Sequence, residues 1–256
     1  MTDVLIQVLD LSQIYLFAAV GVFLRVGACF LVLPGLGDQM IPVRVRLGAA
    51  LAFTVFLTPA LIPELGTSGT LPAIQAFFSE TISGLIIGFA LRFLVHALQV
   101  AGTIAAQSTS LSQLLGGATP DPLPAMGAIL MLAGVTLAVI SGLHVHLVAT
   151  FLRSYTLLPF GQLPGPHDLG GWGVEQVAQS FALAMSLAAP FMIASLLYNV
   201  ALGVINKAMP QLMVAFVGAP AITLGGLVLL LICIPFMLPV WLDAFQAALI
   251  SPLGVR

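Results

Sequence analysis

Apolar residues in this chain come in long runs separated by short polar stretches, and the run lengths carry the first reading. A helix that spans a bilayer needs about 20 mostly apolar residues. Residues 14–34 form such a run, interrupted only by Arg25. Residues 47–63 are shorter and uncharged, and residues 74–101 are long but hold Glu80, Arg92 and His96. Residues 126–150 are uncharged, with His144 and His146 near the end; residues 177–203 are uncharged, with Pro190 inside and Asn199 late. The last run, 212–242, exceeds a bilayer core of about 30 Å by half at about 1.5 Å per residue. It also holds Pro220, Gly225, Gly226, Pro235 and Pro239. Proline removes a backbone donor and kinks a helix, so this run is expected to be a bent helix or a helix pair with a tight turn. The pattern predicts an all-α membrane protein of six hydrophobic segments, or seven helices. No repeat or long linker divides residues 1–256, which are taken as one domain. The longest connections, 102–125 and 153–176, are expected outside the apolar layer, the second as a Gly/Pro-rich turn region.

Composition narrows the class. The 256 residues are 60% hydrophobic and 6% charged, against about 45–50% and about 25% in soluble domains. Mean hydropathy is +1.16. So few charges cannot solvate a globule of this size, which excludes a soluble enzyme and a disordered tail. A net charge of −2 leaves no basic patch for nucleic acid. An integral membrane protein remains, or a chain buried in other subunits. Cys29 and Cys233 lie in apolar runs and read as core residues. Asp3 and Asp10, with no Lys or Arg in the first thirteen residues, are the wrong start for a cleaved signal peptide. Arg44, Arg46 and Lys207 against Arg153 and Arg256 lean towards a cytoplasmic Arg44/Arg46 loop.

Four features could carry chemistry. A lone cation in hydrocarbon costs at least about 2.5–3.5 kcal/mol, so Arg25 needs a partner, as do Glu80 and Arg92. The last two are 12 residues apart, about 18 Å along a helix, and cannot pair within it. Each charge is expected against another helix or subunit; a proton or ion relay is the sharper alternative. His144 and His146 sit two apart and point about 200° from each other on a helix, so they do not converge on a metal. Gly35-Leu36-Gly37-Asp38 resembles the intramembrane aspartyl protease motif. That chemistry needs two carboxylates sharing a proton, and the other aspartates lie at termini or in connections. No catalytic, cofactor or metal residue is therefore assigned. Gln107, Ser108, Thr109, Ser110, Leu111, Ser112 and Gln113 are almost wholly polar yet uncharged, between apolar runs and before Gly116-Gly117. That suits an exposed loop, or backbone at membrane depth lining a cavity.

Together these landmarks resemble the FliR family, membrane proteins of the flagellar type III export gate. The first block is Arg25, then Pro34-Gly35-Leu36-Gly37, then Ile41-Pro42-Val43-Arg44-Val45-Arg46-Leu47. Asp121-Pro122 follows the central polar stretch, and Gly142 with His144 precedes Ser154-Tyr155 and Leu158-Pro159. The last block runs Ala189-Pro190, Asn199, Gly203, Asn206-Lys207, Met209-Pro210-Gln211, Phe216, Gly218 and Pro220. Four blocks in order cover roughly residues 20–240. The chain departs from the pattern at Lys207, where the family commonly has Arg, and at Met213, where Asn or a similar residue is usual.

The resemblance implies a helical subunit without enzymatic activity or cofactor, in the bacterial inner membrane at the flagellar basal body. Its partners would be FliP-type and FliQ-type membrane subunits and an FlhB-type subunit. The assembly would pass unfolded flagellar polypeptides through a pore built of tilted, Pro-broken helical hairpins, part of it above the usual membrane plane. Gln107 to Leu115, with Leu114 and Leu115 ending the stretch, would be a plug in the closed channel. Arg25, Glu80 and Arg92 would find partners at subunit contacts, and Arg44 and Arg46 would meet lipid headgroups or an acidic surface. Gly225-Gly226 and Ala188-Ala189 would allow close helix approach. Virulence-type secretion systems carry a homologous subunit, which is one alternative. A small secondary transporter built on Pro190 and Asn199 is the other.

Overall fold

The structure is a computed structural model and describes residues 2–37, 41–65, 73–109, 125–163, 165–209 and 214–254. These form seven α-helices and no strand: α1 (Thr2–Val32), α2 (Val43–Leu65), α3 (Ala73–Thr109), α4 (Ala125–Ile140), α5 (Leu143–Leu157), α6 (Pro166–Ala208) and α7 (Val214–Ile250). Stretches of α1, α2, α3, α6 and α7 are long and apolar enough to cross a bilayer, and α4 with α5 qualifies as one broken span. The all-α class and the six segments follow from the run lengths as expected.

The boundaries differ in instructive ways. Of the two expectations for the last run, the helix pair is not found from Val214 onwards, because α7 runs unbroken through Pro235 and Pro239. Helix α6 likewise continues through Pro190. An interior proline forfeits one backbone hydrogen bond, whereas a turn in hydrocarbon would strand several polar groups. The break falls instead in the proline-free run 126–150, where Gly142 adopts a left-handed φ of 87° between α4 and α5. Both long connections are also shorter than expected. Helix α3 extends to Thr109, and α6 starts at Pro166 with Asp168 in its first turn. Proline is pre-set for the first helical position, and a carboxylate there favours the helix dipole. Arg44 and Arg46 stand in the first turn of α2, not in a loop.

The chain divides into two compact units. Unit 1 comprises residues 1–92, 141–175 and 245–256; unit 2 comprises 93–140 and 176–244. In unit 1, α1 and α2 form a packed helical hairpin. Buried Phe30 meets Phe53 at 5.1 Å and Phe151 at 6.2 Å between ring centres. Glycines bring the backbones together: a Cβ on Gly84 would lie 2.1 Å from the Arg25 carbonyl oxygen, and one on Gly88 3.0 Å from that of Cys29. In unit 2, a Cβ on Gly102 of α3 would lie 2.3 Å from the Gly127 Cα of α4. Fully buried Trp241 donates its indole N–H to the Leu94 carbonyl at 2.7 Å.

Candidate functional site

A buried polar cluster lies inside unit 1, where α1, α3, α5 and the segment after α5 converge on Arg25. Its side chain is fully buried, as is that of Glu80. Arg25 Nε donates to Glu80 Oε2 at 2.7 Å and Nη2 donates to Oε1 at 2.9 Å. The planar guanidinium thus meets the carboxylate along two parallel hydrogen bonds, the strongest geometry for such a pair. Nη1 donates to Ser154 Oγ at 3.0 Å, and Nη2 also donates to the Leu158 carbonyl at 2.9 Å. The Tyr155 ring lies 3.6 Å from the guanidinium carbon, a cation–π contact.

Glu80 is satisfied from the other side. Tyr155 Oη donates to Oε2 and the Gly161 N–H donates to Oε1, each at 3.2 Å. Gly161 has φ 76°, which lets the chain after α5 turn its amide towards the carboxylate. Gly21 makes room for Phe160: a Cβ there would sit 2.3 Å from the Phe160 ring. The ion pair therefore fastens residues 158–161 to α1 and α3. A carboxylate held by four donors and sealed from solvent is a structural tie rather than a relay group, which would need a path to water.

Arg25 and Glu80 were expected at contacts with another helix or subunit. They are each other's partner within one unit, and neither reaches the surface. Arg92 also finds a partner inside the chain: Nη1 donates to the Val32 carbonyl at 3.2 Å. The run lengths showed that these charges needed partners but did not reveal Ser154, Tyr155 and Gly161 as members of the cluster. One signal was available, since Gly84 and Gly88 form a small-xxx-small pair on the helix that carries Glu80.

The other singled-out residues are spread along the chain. Pro34 and Gly35 form the turn after α1, with Gly35 at φ 85°. The Pro42 carbonyl accepts from the amides of Val45 and Arg46 as α2 begins. Arg44 is exposed, and Arg46 Nε donates to the Leu36 carbonyl at 2.7 Å. His144 is exposed, and His146 Nδ1 sits 3.1 Å from the Gly142 carbonyl. Among the described residues no cluster of His, Cys, Asp or Glu could hold a metal.

Gln107, Ser108 and Thr109 form the last turn of α3. Ser110, Leu111, Ser112, Gln113, Leu114, Leu115, Asp121 and Pro122 lie outside the described residues, as do Asp38, Pro210 and Gln211. In unit 2 the Ser108 carbonyl accepts from Ser195 Oγ, which in turn accepts from Asn199 Nδ2 at 3.3 Å. The end of α3 is thereby tied to α6. Pro190, Gly203 and Lys207 are exposed along α6. Gly218 and Pro220 lie in the first turns of α7. A Cβ on Gly225 would meet nothing within 4 Å; Gly225 and Gly226 line a cavity of about 220 Å³ with Phe191, Ser195 and Tyr198. Close backbone approach is seen at Gly84, Gly88 and Gly102.

Comparison with known proteins covers nearly the same residues as these helices. Residues 16–248 match the family described as "Bacterial export proteins, family 1". The flagellar biosynthetic protein FliR of Caulobacter vibrioides is 35% identical over 243 residues, covering 93% of this chain and 95% of the relative. FliR of Escherichia coli is 26% identical over 84% of each chain. The Yop proteins translocation protein T of Yersinia pestis is 26% identical over 90% of this chain and 91% of its own length.

Proposed function

The chain belongs to the bacterial export proteins of family 1, the FliR family, and on that premise we propose that it is a channel-forming subunit of the flagellar protein export gate. The family is one of multi-span membrane proteins of type III secretion and not of enzymes, which removes the protease reading of Gly35–Asp38. In the proposed role the chain assembles with FliP-type, FliQ-type and FlhB-type subunits in the bacterial inner membrane. The assembly passes unfolded flagellar polypeptides outward. The observation that carries this reading is the family match across residues 16–248, which covers all or nearly all of each candidate span.

The outer surface supports assembly. Ile193, Leu196, Leu197, Val200 and Val204 on α6 are each at least 59% exposed, a broad apolar face next to the exposed Pro190, Gly203 and Lys207 of the last motif block. Such a face needs lipid or neighbouring helices to cover it. The flagellar relative in Caulobacter vibrioides shares 35% identity and the virulence relative in Yersinia pestis 26%, which favours the flagellar member of the pair. In the proposed closed channel, Gln107 to Leu115 plugs the pore, small and uncharged so that passing polypeptide does not stick.

Co-expression with FliP-type and FliQ-type partners, mild extraction and native mass spectrometry test the assembly. A discrete hetero-oligomer containing this chain is expected. A monomer or homodimer that ignores those partners would overturn the proposal.

A further inference from the structure

One face of α7 in unit 2 is both uncovered and electronegative. Leu224, Val228, Leu231, Pro235, Pro239 and Asp243 follow one another at spacings of three or four and so share a side of the helix. All six are exposed, Leu231 at 74%. The apolar stretch of α7 is 22% buried within the chain, the lowest share of the candidate spans among the described residues.

The two prolines decide what this face lacks. Pro235 has no N–H for the Leu231 carbonyl, and Pro239 has none for the Pro235 carbonyl. The helix nonetheless runs on through both. Two carbonyl oxygens therefore lose their helical donors, one turn apart and about 6 Å along the axis. Both lie near the middle of the span Ala221–Ile250. The helix cannot replace those donors from its own side chains. Residues 224–242 contain no Ser, Thr, Asn, Gln, Lys or Arg, and the indole N–H of Trp241 is given to the Leu94 carbonyl.

Asp243 continues the same face about 12 Å beyond Pro235. Among the described residues no cation pairs with it. A carboxylate within an apolar span calls for a cation. Polar backbone at this depth is satisfied by neighbouring protein, whereas lipid tails carry no donor. The face thus offers two acceptors and an anion in a row. Its complement is a surface with donors and a positive charge at matching spacing.

We propose that this face of α7 docks a helix of another membrane subunit, whose facing side carries a hydroxyl or carboxamide donor at the two carbonyls and Lys or Arg at Asp243. The inference rests on the export-gate reading, which supplies the subunits, and gives the chemistry of one contact within it.

The test uses the full chain co-expressed with FliP-type, FliQ-type and FlhB-type subunits. With p-benzoylphenylalanine in place of Leu224 or Val228, light should cross-link the chain to a helix of one of those subunits. The captured peptide should hold Ser, Thr, Asn or Gln within two turns of the cross-link, and Lys or Arg farther along. Cross-linking to lipid alone, to a second copy of this chain, or to a helix without such donors would overturn the proposal.

Two sets of variants read the contact itself. Pro235→Ala with Pro239→Ala returns both N–H groups to the helix. The isolated double variant should melt no lower than the native chain, while partner retained in detergent falls about fivefold, the effect of one ordinary hydrogen bond. Asp243→Asn should lower retention at least about tenfold, as for a covered charge pair at an interface, and Asp243→Glu should stay near native. Should the double variant melt below the native chain, the Asp243 variants decide. Native retention by a stable double variant, or by Asp243→Asn, would overturn this inference and leave the export-gate reading standing. A native chain that retains none of the three subunits would overturn both.

Discussion

Arg25 and Glu80, 55 residues apart, meet as a two-point ion pair at 2.7 and 2.9 Å with both side chains sealed from solvent. The pair joins α1 to α3. It lets a cation sit inside an apolar span, and it anchors residues 158–161 through Leu158 and Gly161.

Removing one partner is therefore worse than removing both. Arg25→Ala leaves a buried carboxylate with only Tyr155 and Gly161 for company, and a loss of about 3–5 kcal/mol is expected. The double variant Arg25→Met with Glu80→Leu should recover most of that loss, since apolar groups of similar volume replace buried ion pairs at little cost. Thermal unfolding in detergent checks both. An Arg25→Ala protein that melts with the native one would show that the pair does not hold the fold.

The glycines divide into two kinds with opposite expected behaviour. Gly84→Ala drives a methyl into the Arg25 carbonyl, whereas Gly203→Ala meets open space on the exposed face of α6. Overpacking of the first kind costs about 1–3 kcal/mol. The second should be neutral, or stabilising by up to about 1 kcal/mol from helix propensity alone. Melting temperatures of the two variants in one detergent should move in opposite directions or differ by the full overpacking cost.

Much of this was legible in the residue pattern. Uncharged runs of about 20 residues locate the helices because a backbone in hydrocarbon has no other way to satisfy its polar groups. Helix boundaries were less legible. Pro190, Pro235 and Pro239 promised breaks that continuous helices absorb, while Gly142 made the break that no proline announced. The charges Arg25, Glu80 and Arg92 declared a need for partners. That Arg25 and Glu80 serve each other follows from the α1–α3 contact at Gly84 and Gly88, a tertiary fact that spacing along one helix does not contain.

Trp241 offers an optical check on unit 2. The chain has two tryptophans; Trp241 is fully buried with its N–H on the Leu94 carbonyl, and Trp172 donates to the Pro252 carbonyl in unit 1. In a Trp172→Phe background the remaining emission should be strongly blue-shifted and resist aqueous quenchers. Trp241→Phe should destabilise by about 1 kcal/mol, the usual net worth of one hydrogen bond. Emission near that of free tryptophan from the Trp172→Phe protein would mean that unit 2 does not close around the indole.

The apolar face of α6 separates a fold defect from an assembly defect. Leu196 and Leu197 are 64% and 66% exposed, so replacing both with Ser removes little internal packing. Helical content and melting should stay within about 0.5 kcal/mol of native, as for surface positions generally. Under the export-gate proposal, co-purification with FliP-type and FliQ-type partners should nonetheless fall. Undiminished co-purification would place the partner contact elsewhere.

The proposed plug makes the last prediction, and it reaches into unit 2. If Gln107 to Leu115 seals a resting channel, its apolar members make the seal, because packed side chains exclude ions where polar ones admit water. Replacing Leu111, Leu114 and Leu115 with Ser should raise the ion conductance of the assembled resting complex severalfold. The polar tie behind this stretch gives a milder test: Ser195 holds the Ser108 carbonyl and is itself held by Asn199. Ser195→Ala leaves that end of α3 without its tether to α6 and should produce a smaller leak, with subunit composition unchanged. Both leaks are read as membrane current or as sensitivity of growing cells to small ions. A triple-Ser complex as tight as the native one would remove the plug from the proposal while leaving the family assignment untouched.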